Sequence, residues 1–277
     1  SELRGNGMQF IENKGQVVDV NNKLRPDILY FGDGGGMKIY LRKGGVSYVI
    51  TQVEGLEENE QEDKEMQGKG LTLMQVKLEQ QDQLEQAVVK THRIDMDFVD
   101  GNTEAKVLGS DRVEGYFNYY FGHCPDGITN MKAFNRVVYQ SIYPNIDIVF
   151  YGGKEKGLKY DIIVHPGGDP NDIKIKYTGA DKLKIENGHL IIDNSLGEMT
   201  EAMPKVYQNV NGKITDVKAE YNLNGGTVNF QFKNYDSKCS LVIDPWITYY
   251  GGTVHEVGSG IAVDGNGNVA VVGITGS

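Results

Sequence analysis

Apolar and polar residues alternate with a period of two over much of this chain, which is the pattern of half-buried β-strands. Residues 37–41 and 46–50 both alternate and are separated by the sequence Arg-Lys-Gly-Gly, so they predict a β-hairpin. Ile94, Met96 and Phe98 alternate with two aspartates in the same way. Because successive side chains of a strand point to opposite faces, each segment is expected to bury one face.

Short apolar segments recur at close intervals through the rest of the chain, and Gly, Asn and Asp residues lie between them. Regular short strands with such turns are typical of antiparallel sandwiches and barrels. We therefore predict an all-β fold with antiparallel β-sandwich or barrel-like sheets. The segments are 115–122, 137–139, 146–151, 158–164, 173–177, 183–185, 190–192, 205–208, 219–223 and 228–232.

An acidic stretch interrupts this pattern. Residues 54–65 contain seven acidic residues and one lysine, and they offer too little apolar surface to offset the entropy of ordering the chain. We predict a mobile acidic loop over 54–70, a solvated excursion from a sheet rather than a cation-binding segment. Residues 71–78 alternate and could form a strand, whereas residues 74–86 are the best helix candidate, with ambiguous spacing.

The end of the chain predicts a separate hairpin. Residues 261–263 and 269–272 are apolar and flank the sequence Asp-Gly-Asn-Gly-Asn, which is suited to a tight turn. A single unit of this kind cannot bury its face and needs stacked neighbours, so we expect the chain to be the front piece of a longer repeat protein. The predicted domains are a large β domain over 1–244, with one or two subdomains, and a single propeller-type repeat over 245–277. Pro245 marks the border, because proline ends or edges a strand.

Composition and charge restrict the partners. The net charge of −10 argues against nucleic acid, because a phosphate-binding surface needs a basic patch. No apolar run approaches the length of a membrane-spanning helix. The chain begins Ser-Glu-Leu without an initiator Met, so we expect an export signal or a tag to have been removed.

Several blocks of the sequence match a known arrangement in the same order. They are residues 10–16 (Phe-Ile-Glu-Asn-Lys-Gly-Gln), 118–119, 143–152, 160–161, 166–167, 169–170, 173, 204–208 and 241–245. On these blocks the chain resembles the N-terminal domain of bacterial SBBP (β-propeller repeat) cell-surface and secreted proteins, and residues 248–275 resemble their first SBBP-type repeat. Ile128 stands where an aromatic residue is usual and Asn145 where a glycine is usual, and we interpret both as packing or turn changes.

The resemblance implies a long, exported protein, often attached to the cell surface. It carries over no reaction, no catalytic residue and no cofactor. The predicted function is a non-enzymatic extracellular structural or interaction module that precedes a β-propeller and serves in adhesion or surface assembly. The alternatives are a hydrolase acting on polysaccharide or protein and a carbohydrate-binding module. The expected partners are a second copy, through exposed β edges or the C-terminal repeat, and a glycan or surface protein.

Carboxylate pairs are the main candidates for hydrolytic chemistry. Asp95 and Asp97 lie on one face of a regular strand, and their spacing is permissible for a glycosidase. Asp147 and Asp161 are a second such pair. The competing interpretation is that Asp147 and Asp161 fix turns or pair with Lys and Arg. None of the five histidines has metal-ligand spacing, and the neighbours His123 and Cys124 form no recognisable catalytic motif.

The remaining candidates are weaker. Asp264, Asn266 and Asn268 place oxygen atoms at alternate positions, as in a calcium loop, but no glutamate follows at the twelfth position. A hairpin turn explains them more simply. A Cys124–Cys239 disulfide would close a long loop, but two unpaired thiols are the favoured expectation. We expect three tyrosines of the aromatic segment to be core or edge residues, and only an exposed row would indicate sugar binding. These are Tyr116, Tyr119 and Tyr120.

Overall fold

The computed structural model describes residues 8–34, 37–54, 88–152, 158–250, 255–263 and 269–276. Over these ranges the chain is built of antiparallel β-strands with one short 3-10 turn at Pro170–Asp172. The all-β antiparallel prediction is therefore confirmed. The chain divides into two compact units, residues 1–50 with 92–251 and residues 51–91 with 252–277.

The strands are numbered in chain order. The first eleven are β1 (Phe10–Glu12), β2 (Ile28–Gly34), β3 (Met37–Arg42), β4 (Gly45–Glu54), β5 (Val88–Phe98), β6 (Lys106–Arg112), β7 (Phe117–Phe121), β8 (Cys124–Met131), β9 (Ala133–Tyr143), β10 (Ile146–Gly152) and β11 (Leu158–Val164). The others are β12 (Ile175–Thr178), β13 (Lys182–Glu186), β14 (His189–Asn194), β15 (Gly197–Glu201), β16 (Lys205–Val210), β17 (Lys213–Asp216), β18 (Lys218–Asn224), β19 (Thr227–Lys233), β20 (Leu241–Asp244), β21 (Trp246–Tyr250), β22 (His255–Val263) and β23 (Val269–Gly276).

The large unit contains one extensive antiparallel sheet that nearly closes into a barrel. Strands β4, β3, β2 and β1 are paired in that order. Strands β1 and β10 pair with the same edge of β9, β1 at its first two residues and β10 along the rest, and β6 pairs with the opposite edge. Strand β11 pairs with the other edge of β10. The predicted hairpin of β3 and β4 is present, with Arg42 opposite Gly45. Strand β11 alternates fully between buried and half-buried residues, so the period-two pattern marks its inner face.

Strands β20 and β21 share one register against β11 across the intervening Pro245. Ile162 is opposite Ile243, and Lys159 is opposite Trp246. Proline interrupts the hydrogen-bond ladder because it has no N–H, but the register continues unchanged. Strand β21 also pairs with β15, so residues 246–250 lie in the sheet of the large unit. The predicted division of the chain at Asp244 stays a prediction.

A chain of aromatic rings fills part of the core. The ring centroids of Phe98 and Tyr139 are 5.7 Å apart. Phe150 lies 5.6 Å from Tyr139 and 5.5 Å from Tyr160. All four rings are buried, and the Tyr139 hydroxyl donates to the carbonyl oxygen of Arg42 at 2.8 Å. The rings thus supply apolar contact while the hydroxyl groups find acceptors, as buried tyrosines require.

The turn between β9 and β10 places an asparagine in a left-handed backbone conformation. Asn145 has a φ of 56°, in the left-handed region that glycine favours and that asparagine tolerates best among other residues. Its carbonyl oxygen accepts a hydrogen bond from the backbone N–H of His165 at 2.9 Å. The asparagine therefore keeps the turn that a glycine would make.

The C-terminal hairpin pairs as predicted. Strands β22 and β23 are antiparallel, with Val263 opposite Val269 and an irregularity between Gly258 and Gly260. Its assignment as a propeller-type repeat stays a prediction. The calcium candidates Asp264, Asn266 and Asn268 lie outside the described residues, as do residues 55–87, which hold nearly all of the predicted acidic loop, the possible strand and the helix candidate.

A carboxyl group is sealed in the core of the large unit. Glu201 on β15 is fully buried, and its two carboxylate oxygens accept hydrogen bonds from the hydroxyl groups of Tyr160 and Tyr177. Burial raises the pKa of Glu201 from its ordinary 4.5 to about 7, and the two hydroxyl donors oppose this rise. The folded protein therefore binds a proton here more tightly than the unfolded chain does.

This arrangement predicts a pH-dependent stability that Glu201→Gln removes. Below pH 4.5 the carboxyl is protonated in both states, and as the pH rises to about 7 only the unfolded chain loses its proton. The free energy of unfolding should fall over this window by about 3 kcal/mol and then level off. In urea unfolding from pH 4 to pH 8, the free energy of unfolding of the wild type should fall by about 3 kcal/mol relative to that of Glu201→Gln.

The matched control is Glu198→Gln, a half-buried carboxyl on the same strand. Its unfolding free energy should follow the wild-type pH profile. Parallel profiles for the wild type and Glu201→Gln would contradict the prediction, whatever the absolute stability of the variant.

Candidate functional site

Strands β7 and β8 form a two-stranded sheet of their own, which we call the aromatic hairpin. Tyr119 is opposite Ile128, Phe121 is opposite Cys124, and the register shifts on both sides of Tyr119. Among the described strands these two pair only with each other. The hairpin therefore depends on side-chain packing and on the loop at its base for its position.

One face of the aromatic hairpin packs on the large unit. Tyr119 contacts Phe31 of β2 edge to face, at a centroid distance of 6.3 Å. Tyr119 also stacks on Phe121 at 5.5 Å, and Phe121 stacks on His123 at 5.4 Å. Met131, at the end of β8, is fully buried. These rings hold the inner face in place, because burial of aromatic surface is the dominant stabilising contribution available there.

The opposite face presents aromatic rings to solvent. Tyr116 is 62% exposed and Tyr120 is 68% exposed. Asn118 lies between them in sequence and is exposed as well. Asn118 and Tyr120 share a face of β7, and Tyr116 immediately precedes the strand. We call these three exposed residues the Tyr-Asn-Tyr strip. The sequence predicts Tyr116, Tyr119 and Tyr120 as core or edge residues. In the structure Tyr119 is half-buried, whereas Tyr116 and Tyr120 are exposed.

The position of the Tyr120 ring depends on a glycine. Gly127 on β8 has a φ of 78°, and a Cβ atom at this position would collide with the Tyr120 ring. Part of the ring therefore lies against the backbone of the neighbouring strand, and the side chain is otherwise mostly exposed to solvent. Sequence reasoning missed this because it depends on which residue of β8 is opposite Tyr120. The glycine two residues after a proline would have been the available signal.

A loop at the start of the chain anchors this region. We call residues 13–16 the motif loop. The side-chain amide of Asn13 donates to the backbone carbonyl oxygens of Arg25 and Ile28 at 2.9 and 2.8 Å. The Asn13 carbonyl oxygen accepts from the backbone N–H groups of Gly15 and Val17. Both the Nδ2 and the Oδ1 atoms of Asn13 are thus hydrogen-bonded to backbone groups, so the role of this side chain is structural.

The motif loop is tied to the base of the aromatic hairpin. Lys14 Nζ donates to the carbonyl oxygen of Asn130 at 3.1 Å and pairs with Glu12 at 2.9 Å. Asn118 Oδ1 accepts from the backbone N–H of Asn130 at 3.0 Å. The side chain of Ile128 lies beside Gly15 of the motif loop.

A cleft of about 440 Å³ lies beside the motif loop. It is lined by polar and apolar residues in similar measure, among them Lys14, Leu24, Arg25 and Tyr30. Arg25 is held by Asp27 through two hydrogen bonds of 2.7 and 2.6 Å. Because both basic residues named here already have acidic partners, the cleft offers no unpaired positive charge from them to an anionic ligand.

The first predicted carboxylate pair belongs to an ion network. Arg42 Nη2 lies 2.7 Å from Asp97 and 3.6 Å from Asp95. Asp95 also accepts from Arg93 Nε at 2.9 Å and from Ser47 Oγ at 2.6 Å. These partners engage both carboxylates, so the structure favours the interpretation that these aspartates pair with basic residues.

The two carboxylates of the second predicted pair have separate hydrogen-bond partners. Asp147 on β10 accepts from the backbone N–H of Ser141 at 2.7 Å and contacts His165 Nε2 at 2.9 Å. Asp161 on β11 accepts from the hydroxyl of Tyr151 at 2.8 Å. Asp147 fixes the β9–β10 turn, as one of the interpretations expected, whereas Asp161 faces a different partner.

That partner is Asp244, which sequence reasoning did not pair with Asp161. Because Ile162 is opposite Ile243 in an antiparallel ladder, Asp161 is opposite Asp244. Burial raises the pKa of Asp161, and the nearby Asp244 charge raises it further, while the Tyr151 hydroxyl lowers it. Asp161 and Asp244 are thus two neighbouring carboxyl groups, and a charge on one disfavours a charge on the other.

Two cations lie over aromatic rings beside the acid pair. Lys159 Nζ is 4.7 Å from the centroid of the Trp246 ring, and the Arg136 guanidinium is 5.8 Å from that of Tyr151. Tyr151, Lys159 and Trp246 are neighbours across three paired strands. This part of the sheet therefore combines two half-buried carboxyl groups with two cations that lie over aromatic rings.

Other predicted sites are resolved more simply. Cys124 and Cys239 are free thiols, as favoured from the sequence. Over the described ranges, no group of three or more His, Cys, Asp or Glu residues could hold a metal ion. Within those same ranges, the structure has no helix with the length and apolar character to cross a membrane.

The fold and surface define an antiparallel all-β domain that carries an anchored, solvent-facing aromatic hairpin. The chain belongs to a family described as a domain of unknown function (DUF7948), which matches residues 10–246. The match begins at the first residue of β1 and ends at the first residue of β21. No curated protein and no solved structure gave a significant match to the chain.

The role of the motif loop is testable by Asn13→Ala. The substitution removes two donated and two accepted hydrogen bonds from part-buried backbone groups, so we expect a loss of about 2–4 kcal/mol in unfolding free energy. The control is Asn21→Ala at an exposed turn position nearby, which should change it by less than about 0.5 kcal/mol. Equal urea midpoints for both variants would refute the anchoring role.

The coupling of the acid pair is testable by Asp244→Asn. Removing the Asp244 charge should lower the pKa of Asp161, although burial keeps it above its ordinary value. Carboxyl-carbon NMR titration reports the pKa directly. Asp147→Asn, which changes the other sequence-predicted partner, serves as the control and should affect Asp161 much less. An Asp161 titration that is identical in the wild type and Asp244→Asn would show that the two groups do not interact.

Proposed function

We propose that the protein is a non-enzymatic extracellular interaction module that precedes a β-propeller and serves in adhesion or surface assembly. Its binding surface is the outer face of the aromatic hairpin. The observation that carries this proposal is the exposure of Tyr116 and Tyr120 on a hairpin whose other face contacts Phe31 through the half-buried Tyr119. The resemblance to SBBP proteins supports the extracellular location and the propeller.

The exposed rings are suited to recognition. Tyrosine offers a large rigid surface with a polar end, and few rotatable bonds are immobilised when it binds. Rings that contributed to the core would be covered, as Tyr119 is on the inner face. The motif loop and the Phe31 contact hold the hairpin in one position, so the surface is organised before a partner arrives.

The same hairpin supports self-association as a second mode of interaction. Its two strands pair only with each other among the described strands, and an unpaired strand edge can add a strand from another chain. A second copy is therefore a proposed partner, together with a glycan or surface protein.

A hydrolase is the second candidate function, favoured by one observation. Asp161 and Asp244 are directly opposite on neighbouring strands, where Cβ atoms lie about 4.5–5.5 Å apart. Retaining glycosidases use carboxylates at about this separation. The Tyr151 hydrogen bond and the adjacent cations favour a structural role for the pair, so the interaction module remains the stronger proposal.

Binding and turnover should be measured on the same materials. We expect the purified protein to be retained on at least one of cellulose, chitin, peptidoglycan or collagen without releasing reducing ends or peptides. Tyr116→Ala/Tyr120→Ala should lose this retention, whereas Asp161→Asn should keep it. Turnover that disappears in Asp161→Asn would favour the hydrolase, and retention that is unchanged by the double substitution would reject the hairpin as the binding surface.

A further inference from the structure

We propose that the Tyr-Asn-Tyr strip binds neutral polysaccharide, with the rings of Tyr116 and Tyr120 stacked on sugar faces. This inference rests on the proposed function and names the ligand class of the same surface. It assigns a separate task to each of the three residues.

The two rings supply flat apolar surfaces. Part of the Tyr120 ring lies against the β8 backbone at Gly127, and the side chain is otherwise mostly exposed to solvent. The C–H face of a pyranose ring is apolar and nearly flat, and it stacks on such a surface. Tyr116 immediately precedes β7, four residues before Tyr120. At the rise of an extended chain this is about 13 Å, far enough for the two rings to contact different sugars of one chain.

Asn118 supplies polar contacts between the rings. Its carbonyl oxygen is occupied by the Asn130 backbone N–H, and this hydrogen bond fixes the orientation of the amide. Its Nδ2 group has no partner among the described residues and is exposed. Two N–H donors are therefore available for hydroxyl oxygens of a sugar that lies along the strand.

The charge and size of the strip favour a sugar over the other partners. The three side chains are uncharged, which matches a neutral chain rather than an acidic or basic peptide. A stable protein interface buries about 800 Å² on each partner, and a tyrosine buries about 150–250 Å². Two rings exposed to this extent supply roughly a third of the area that a protein would need.

Isothermal titration calorimetry with a soluble β-glucan, a xylan and a mannan tests the inference. The wild type should bind at least one of them saturably. Tyr116→Ala and Tyr120→Ala should each weaken binding by about tenfold or more, whereas Tyr120→Phe, which keeps the ring, should retain most of it. Asn118→Ala should weaken binding by a smaller factor.

Two further variants separate stacking from general damage. Gly127→Ala pushes the Tyr120 ring from its position without removing it, and it should weaken binding about as much as Tyr120→Ala. Ile214→Ala on β17 removes an apolar side chain of similar exposure, 57%, from another strand and should leave binding unchanged. The unfolding midpoint of Tyr116→Ala, whose side chain is mostly exposed, should match the wild type and so exclude misfolding as the cause.

The outcomes distinguish this inference from the proposed function. If none of the three polysaccharides binds, or if they bind equally to the tyrosine variants, the sugar assignment is wrong. If in that case the wild type is retained on collagen and Tyr116→Ala/Tyr120→Ala is not, the hairpin remains an interaction surface with a protein ligand. If bound polysaccharide is also cleaved, the glycan assignment survives and the non-enzymatic function fails.

Discussion

Strand β11 is hydrogen-bonded along both edges, and the large unit is organised around it. On one side it pairs with β10, and on the other it pairs with β20 and β21 in a single register that continues past Pro245. A strand that is paired on both sides and buried on one face has only one register that keeps its apolar residues inside. That constraint determines which residues of distant segments become neighbours on the outer face.

The inner face of the sheet buries tyrosine hydroxyl groups that need hydrogen-bond acceptors. Tyr160 and Tyr177 bring hydroxyl groups into the core, and a buried hydroxyl without a partner would be costly. Glu201 accepts from both, at the cost of burying a carboxyl group whose pKa rises to about 7. The fold thus satisfies its tyrosines with an acid whose charge depends on pH near neutrality, and this links the packing of the core to solution conditions.

The candidate binding surface is held in place by side-chain contacts, whereas the strands of the main sheet are held by pairing with their neighbours. The aromatic hairpin belongs to no larger sheet among the described strands, and it is held by ring packing on Phe31 and by Lys14 of the motif loop. An amphipathic hairpin of this kind needs only one face for its own stability, so the other is free for recognition. The half-buried acid pair of the main sheet contrasts with it, because Asp161 already accepts a hydrogen bond from Tyr151 within the protein.

The sequence by itself determined the antiparallel all-β class, many of the strands and the β3–β4 and C-terminal hairpins, because alternation and turn chemistry are local properties of the chain. It also indicated the turn at Asn145, since few residues besides glycine adopt a positive φ readily. Only the tertiary structure decided that Asp161 faces Asp244 and that Gly127 supports the Tyr120 ring. Alternation predicts that a side chain is on one of two faces, but which face is covered and what is opposite depend on pairings between residues far apart in sequence.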